Sequence, residues 1–235
     1  MRNIKRKIRE IYDRNSSIWA EFNEIDDDLT REIKLYLGKD SFILDVGCGG
    51  GRLSVALSRY VGRIVAIDFS NEMISLAKKM YPILNVEYPI MDAEKMKFKA
   101  GQFDAVVSNM AINRASCRLD RVLEQSYLVL RSRGYVFLNV LSSKSSQKLG
   151  LDLGYNAGEI RRLLEDVDFT PLSIREHANI TLGKSLDNLK FIERTEIGAI
   201  LGERRIVRIY AEAERRKNYD FDETYVSIIA KKGRK

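Results

Sequence analysis

The sequence predicts an α/β fold: a doubly wound, mostly parallel sheet of seven strands with an antiparallel last strand. Two observations support it. Short apolar runs alternate along the chain with segments of helical periodicity, which is the pattern of parallel strands joined by crossover helices. The first run, at 41–46, is apolar almost throughout, as expected for a parallel strand buried on both faces.

The elements can be assigned in chain order. A first helix is predicted over 4–20, where Ile4, Ile8, Ile11, Tyr12 and Trp19 share one side. A second helix over 26–37 starts with acidic residues, which suit the positive helix end, and should end at Gly38. The strands are predicted at 41–46, 63–68, 85–88, 103–108, 135–141, 170–178 and 224–231. The helices between them are predicted near 53–57, 70–80, 118–131 and 157–166.

The chain divides into an N-terminal helical cap, residues 1–38, and one ligand-binding domain, residues 39–235. The stretch between the last two predicted strands is far longer than a hairpin needs. Its apolar residues recur at helical spacing, so we interpret 183–220 as a helical insertion that covers the substrate site. A contact between the two copies of a homodimer is the alternative role for this segment.

Composition excludes several classes of protein. The chain is 45% hydrophobic and 31% charged, which is ordinary for a globular protein, and no apolar run approaches the length of a membrane span. The basic N-terminus lacks the apolar core of a signal peptide. Without a secretion signal, the two cysteines, Cys48 and Cys117, predict free thiols and a cytoplasmic location. A zinc site is not expected, because the chain has only one histidine.

The net charge of +7 is concentrated toward the C-terminus. Residues 184–235 hold 13 basic and 9 acidic residues, so they carry four of the seven net positive charges. Basic chains often bind nucleic acid. Here the basic residues are interleaved with acids and no regular aromatics accompany them, which favours a solvated surface of mixed charge.

The glycine-rich turn after the first strand predicts the ligand site. Residues 43–51 read Ile-Leu-Asp-Val-Gly-Cys-Gly-Gly-Gly, and Asp68 ends the next strand 17 residues after Gly51. Glycines let the backbone approach a ligand, and a carboxylate at the next strand end can accept hydrogen bonds from both hydroxyls of a ribose. The spacing is G-x-G-x-G and no Gly-Lys-Ser/Thr follows, so neither a dinucleotide fingerprint nor a P-loop is present.

Asp45, two residues before the first glycine, places a negative charge beside this turn. Such a charge would repel a pyrophosphate but suit an ammonium or a sulfonium. Together, the strand, the acidic residue and the glycines at 47, 49 and 51 resemble the first motif of the class I S-adenosylmethionine (SAM)-dependent methyltransferases. The remaining motifs follow in the same order over roughly 8–145.

The resemblance implies a set of cofactor-binding residues. Asp68-Phe69-Ser70-Asn71-Glu72-Met73 resembles the acidic segment after the second strand, with Asp68 on the ribose and Phe69 and Met73 against the adenine. Met91-Asp92-Ala93-Glu94 resembles the third motif, in which the aspartate accepts from the adenine amino group and the next backbone N–H reaches the ring. The full predicted set is Asp45, Gly47, Cys48, Gly49, Gly51, Asp68, Phe69, Met73, Asp92, Ala93 and Asn109. Cys48 belongs to it by position and not as a nucleophile.

The acceptor side is less defined. The segment 109–114 lacks the prolines and the aromatic that base N-methyltransferases carry after the fourth strand. It is more similar to the ubiquinone/menaquinone and malonyl-carrier-protein methyltransferase group, which implies a small or carrier-linked acceptor. That group often has histidines where Asn113 and Arg114 stand. Arg114 is an anion clamp or simply a surface arginine.

Three residues are weak catalytic candidates: Asn113, Arg114 and Tyr12. Tyr12 belongs to a Tyr-Asp segment that, in the family, folds over bound SAM. The only histidine, His177, lies near the end of a predicted strand, where a hydrogen-bonded or exposed role is favoured over that of a base. Two other functions stay open: an RNA or protein methyltransferase, and a nucleotide-binding module that transfers no methyl group.

Overall fold

The computed structural model describes residues 2–14, 16, 27–144, 152–181 and 222–233. Within these residues, seven strands form one sheet in the order β3-β2-β1-β4-β5-β7-β6. They are β1 Phe42–Val46, β2 Arg63–Ile67, β3 Val86–Glu87, β4 Phe103–Ile112, β5 Leu130–Leu141, β6 Phe169–Thr181 and β7 Asp222–Lys232. The first five strands pair in parallel, and β7 is antiparallel to both β5 and β6. The predicted fold class is therefore confirmed.

Helices cover both faces of the sheet. They are α1 Arg2–Arg14, α2 Asp27–Lys34, α3 Arg52–Ser58, α4 Asn71–Met80, α5 Leu119–Val129 and α6 Ala157–Asp166. One face packs buried residues of α5 and α6 against strand residues such as Val106 and Leu138. The other face packs α2, α3 and α4 against strand residues such as Val107 and Phe137. Burial on both faces explains why the central strands are apolar throughout.

Several predicted boundaries shift. The helix α2 ends at Lys34, before Gly38, whose N–H instead donates to Ser41 Oγ at 3.0 Å. The strand β4 runs four residues past its predicted end, with an irregularity after Asn109 that changes the register against β5. The strand β5 begins at Leu130, directly after α5, because Leu130 pairs with Phe103. The predicted helix 118–131 therefore ends two residues early, at Val129, and the strand starts five residues before its predicted first residue at 135.

Some predictions lie outside the described residues. These are Trp19, most of the second half of the predicted first helix, and the insertion 183–220. The division into a cap over 1–38 and a domain over 39–235 stays a prediction. In the part of the chain that the structure describes, no helix is long and apolar enough to cross a membrane.

Candidate functional site

Strand order places the site at one edge of the sheet. The chain leaves β1 toward β2 on one side and later returns to β4 on the other, so the carboxyl end of β1 lies at the point where the order reverses. Open sheets of this kind bind ligands at that point. The glycine turn 47–51 is located there. The N–H groups of Gly47 and Cys48 both donate to the carbonyl of Ile67 at the end of β2, at 2.8 and 3.0 Å.

Different structural constraints apply at the three glycines of the turn, Gly47, Gly49 and Gly51. All have positive φ, of 69° at Gly47, 52° at Gly49 and 88° at Gly51. A Cβ on Gly47 would lie 2.2 Å from the Cβ of Ala111, and a Cβ on Gly51 would lie 3.1 Å from the hydroxyl of Tyr88. Around Gly49 no heavy atom lies within 4 Å of such a Cβ. Gly47 and Gly51 thus permit close packing, whereas Gly49 faces open space that a ligand can occupy.

Asp68 ties the turn to the start of α4. It is 8% exposed, and its two oxygens accept hydrogen bonds from the backbone N–H groups of Gly49, at 3.0 Å, and Ser70, at 2.9 Å. Burial raises the pKa of Asp68 to about 6 against the lowering effect of these bonds. The helix cap itself is Ser70, whose Oγ accepts from the N–H of Met73 at 3.1 Å. Each carboxylate oxygen can accept a further bond, so Asp68 keeps capacity for a ligand hydroxyl.

Asp45 lies beneath the turn. It is 1% exposed, and the hydroxyl of Ser54 on α3 donates to its Oδ2 at 2.6 Å. Burial raises the pKa of Asp45 to about 7, and the neighbouring charge of Asp68 adds to the rise. A cation bound beside the two carboxyl groups would lower both pKa values and favour their charged forms.

Cys48 is a packing residue in this arrangement. Its thiol is buried and contacts the carbonyl of Gly49 at 3.6 Å. Burial raises the pKa of the Cys48 thiol well above its usual range, so the reactive thiolate is disfavoured. The same cause raises the pKa of Cys117. Neither cysteine has the environment of a nucleophile.

The start of α4 lies against the end of α1. The ring of Tyr12 meets the ring of Phe69 edge to face, with centroids 6.1 Å apart. Ser70 Oγ donates to Asp13 Oδ1 at 2.5 Å, which fixes the Tyr12-Asp13 segment beside the turn. Phe69 is half-buried, while Met73 is 2% exposed. The structure therefore brings Tyr12 and Phe69 together beside the turn, while their contacts with SAM stay a prediction.

Lys5 of α1, which the sequence did not single out as a site residue, holds the loop after β3. Asp92 Oδ1 accepts from the backbone N–H of Glu94 at 3.0 Å and from Lys5 Nζ at 2.8 Å, and Lys5 also pairs with Glu94 at 3.1 Å. Partial burial disfavours the charge on Lys5, but its bonds to these carboxylates outweigh it and raise the pKa of Lys5. Lys5 lies seven residues, or two helical turns, before Tyr12 and therefore on the same face of α1. That spacing was the one signal in the sequence that could have identified Lys5 as a residue near the site. Ala93, next in the motif, is buried.

The polar groups in the last part of β4 and just after it bind the protein itself. Asn109 Oδ1 accepts from Asn139 Nδ2 of β5 at 3.1 Å. Asn113 is buried, and its Oδ1 accepts from the backbone N–H groups of Ala115 and Ser116 at 2.9 and 3.0 Å. This side chain shapes the turn that leads into α5. A catalytic role for Asn113 stays a prediction that these contacts do not favour.

Arg114 joins the loop after β4 to the loop after β5. Its Nη2 lies 2.6 Å from each carboxylate oxygen of Glu159, its Nε donates to the carbonyl of Gly154 at 3.0 Å, and its guanidinium covers the ring of Tyr155. Asp152 lies 3.1 Å away. With its donors engaged by two acidic side chains, Arg114 has the environment of a structural link. The prediction that it clamps an anionic substrate is not favoured by this geometry.

His177 is a hydrogen-bonded strand histidine. Its Nε2 lies 2.7 Å from Ser227 Oγ of β7, and its ring stacks on Tyr225, with centroids 4.7 Å apart and planes 7° apart. The carboxyl end of β6 lies at the same edge of the sheet as the glycine turn, because β6 runs in the direction of β5. His177 is therefore on the strand whose carboxyl end lies at the edge of the sheet that carries the glycine turn, but that strand is four strands away from β1.

Comparison with known proteins agrees with this geometry. Residues 43–134 match the family described as "Methyltransferase domain". The chain is 33% identical over 116 residues to the mitochondrial ubiquinone biosynthesis O-methyltransferase of Mus musculus. The alignment covers 46% of this chain and 31% of that protein. It is 35% identical over 97 residues to the probable ribosomal RNA small subunit methyltransferase A of Thermococcus sibiricus, covering 41% and 35%. The matched segment thus spans about a third of these relatives' lengths.

Solved structures share the fold over most of the chain. The YcgJ protein of Bacillus subtilis superposes with a TM-score of 0.69 at 17% identity, covering 90% of this chain and all of that one. A phosphoethanolamine N-methyltransferase of Haemonchus contortus, solved with phosphomonomethylethanolamine and S-adenosylhomocysteine, superposes with a TM-score of 0.64 at 18% identity, covering 97% and 60%. At these identities the likeness concerns the fold.

Proposed function

We propose that this chain, which carries a class I SAM-dependent methyltransferase domain, transfers a methyl group from SAM to a hydroxyl of a small or carrier-linked acceptor. The observation that carries the proposal is the glycine turn. Its middle glycine faces open space, it is tied to a buried carboxylate at the next strand end, and it lies where the strand order reverses.

The residues around the turn fit SAM. Open space over Gly49 leaves room for the ligand next to the backbone, and a side chain there would fill it. Asp68 would hold the ribose hydroxyls, and Phe69, Met73, Asp92 and Ala93 would surround the adenine. The acidic pair Asp45 and Asp68 would favour the positively charged end of the cofactor over a pyrophosphate.

When bound, SAM supplies a methyl group that its sulfonium already activates for nucleophilic attack. In the proposed transfer, the acceptor oxygen would bond the methyl carbon as the carbon–sulfur bond breaks, with the electron pair left on sulfur. The hydroxyl proton leaves to water or to a nearby base. This chain's residues then mainly align the acceptor and exclude water. Alignment alone can contribute roughly 7–11 kcal/mol to lowering the barrier.

Two observations favour a small acceptor with a hydroxyl. The ubiquinone biosynthesis relative is an O-methyltransferase. The last residues of β4, Asn109-Met110-Ala111-Ile112, lack the prolines and the aromatic typical of enzymes that methylate bases. A second candidate, RNA methylation, is supported by the ribosomal RNA methyltransferase relative and by the basic excess over 184–235.

Competition between small acceptors and RNA tests the proposal. Formation of S-adenosylhomocysteine from SAM would be measured with hydroxyl-bearing small molecules and with ribosomal RNA, at low and high salt. We expect transfer to a small acceptor that changes little with salt. Transfer to RNA alone, with affinity falling by roughly 0.7–0.9 log units per log unit of salt for each phosphate contact, would select the second candidate.

Replacing Arg215, Arg216 and Lys217 with serine separates the two candidates further. The three residues lie outside the described part of the chain, so the expectation rests on charge alone. A small-molecule enzyme should keep its turnover, since its acceptor does not need these cations. An RNA enzyme should lose affinity and show a shallower salt dependence.

A further inference from the structure

A row of polar residues crosses the sheet at the level of the glycine turn. Cα pairing aligns Asn109 of β4 with Asn139 of β5, Asn139 with Ser227 of β7, and Ser227 with Arg175 of β6. Asp45 of β1 pairs with Val107 of β4, and Gly47 and Asn109 follow these two residues by two positions each. The row therefore continues the level of Gly47, and of Asp68 beside it, toward the far side of the sheet.

The row replaces core residues. One level deeper on the same face, Val107, Phe137 and Ile229 pair in the same order and are at most 4% exposed. At the level of the row, the equivalent positions are occupied by Asn109, Asn139 and Ser227. Asn139 is 1% exposed and Ser227 is 7% exposed. Buried amide and hydroxyl groups need hydrogen-bond partners, and here Asn139 bonds Asn109 and Ser227 bonds His177. Three adjacent strands carry polar groups at one level where apolar side chains would otherwise pack, which points to a binding function.

The far end of the row is fixed by a histidine. His177 Nε2 lies 2.7 Å from Ser227 Oγ, and the imidazole is held flat against Tyr225. The neighbouring Arg175 is directed elsewhere, since its Nη1 pairs with Glu32 at 3.2 Å. The row thus offers amide, hydroxyl and imidazole groups. A phosphate or carboxylate ligand would select cationic side chains instead, so the row suits an uncharged ligand with oxygen atoms.

We propose that Asn139, Ser227 and His177, next to the predicted cofactor residue Asn109, form the acceptor subsite, and that the acceptor carries two oxygen atoms about one strand spacing apart, roughly 5 Å. The hydroxyl to be methylated lies over the Asn109–Asn139 pair, next to the cofactor turn. The second oxygen bonds Ser227 or His177, on the far side of β5. This inference rests on the proposed function, because it assigns the acceptor of the same reaction.

Two probes differ only in the second oxygen. Hydroquinone has hydroxyls at opposite ends of its ring, whereas 4-methylphenol has a methyl group of similar size in place of one of them. Because hydroquinone offers two equivalent hydroxyls, kcat/KM is compared per hydroxyl, and we expect the value for hydroquinone to be roughly two- to tenfold above that of 4-methylphenol, the value of about one hydrogen bond. Ser227→Ala should remove this preference by raising KM for hydroquinone. His177→Gln should reduce it, because Ser227 loses its oriented partner.

Ser108→Ala is the matched control. Ser108 is also a fully buried strand serine, but it lies on the opposite face, where its Oγ donates to the carbonyl of Val46 at 2.8 Å. This variant should keep the preference for hydroquinone. The affinity for SAM, measured by calorimetry, should be the same in the wild type and all three variants, because none of these side chains belongs to the cofactor set.

The outcomes separate this inference from the proposed function. A preference that survives Ser227→Ala and His177→Gln, or a wild type without preference, overturns the subsite. SAM binding with transfer to neither phenol also overturns it and leaves methyl transfer to another acceptor. Failure to bind SAM contradicts the proposed function itself.

Discussion

The turn after β1 and the turn after β4 lie at the same edge of the sheet, but they use their polar groups in opposite ways. In the first, backbone curvature is stabilised by Asp68, and the middle glycine borders open space. In the second, Asn113 accepts a hydrogen bond from the backbone of Ala115, and Arg114 donates to Glu159. The first turn therefore leaves open space beside its backbone, as the proposed cofactor site requires, whereas the second links two loops.

The largest expected effect comes from filling the space over Gly49. Gly49→Val should reduce SAM affinity more than a hundredfold, because the side chain enters the ligand volume and the positive φ disfavours a β-branched residue. Gly50→Ala is the control, since its Cβ would make only an ordinary 3.5 Å contact with Leu76. Calorimetry checks the affinity and circular dichroism the fold. Wild-type affinity in a folded Gly49→Val protein would show that the turn does not face the ligand.

The next effect concerns the carboxylate at the end of β2. Asp68→Asn should weaken SAM binding by about 1–3 kcal/mol, because the ribose loses a charged acceptor and the Gly49 N–H loses part of its partner. Asp104→Asn changes another buried carboxylate, whose Oδ2 accepts from the N–H of Phe42 at 2.6 Å at the opposite end of the sheet. That control should lose stability but not cofactor affinity. Equal losses of affinity in both variants would place the ribose elsewhere.

Arg114 should behave as a link and not as a cofactor ligand. Arg114→Met should lower the free energy of unfolding by about 1–2 kcal/mol, since the ion pair with Glu159 is partly exposed and screened. SAM affinity should stay within twofold, while turnover falls as the loops after β4 and β5 loosen. In a double-mutant cycle, Glu159→Gln should add little to Arg114→Met. Additive losses of stability would mean that the two side chains act independently.

The smallest effect should come from Lys5. Its amino group occupies Asp92, the predicted acceptor for the adenine amino group. Lys5→Met should therefore raise SAM affinity by a factor of about two to five, the usual value of a partly exposed ion pair. Lys7→Met, an exposed lysine on the same helix, should change nothing. A loss of affinity in Lys5→Met would instead make Lys5 part of the binding surface.

The geometry of the glycine turn was largely predictable from the sequence because its residues follow each other in short motifs. The glycines and Asp68 can be read in a single strand–turn–helix–strand unit, and the Ser70 cap is likewise local. The polar row across the sheet was not predictable, because Asn139, Ser227 and His177 come from three strands distant in sequence and meet only through register. Arg114 was ambiguous for the same reason, since its partner Glu159 lies 45 residues away.

The central claim is that the glycine turn binds SAM, and thermal unfolding with added ligands tests it most directly. A ligand at a hundred times its dissociation constant stabilises the native state by about 2.7 kcal/mol. In a chain of this size that corresponds to a rise in Tm of roughly 5–10 °C. We predict such a rise with SAM and with S-adenosylhomocysteine, its absence in Gly49→Val, and no comparable rise with NADH. A rise with NADH equal to that with SAM, or none with SAM, would contradict the account.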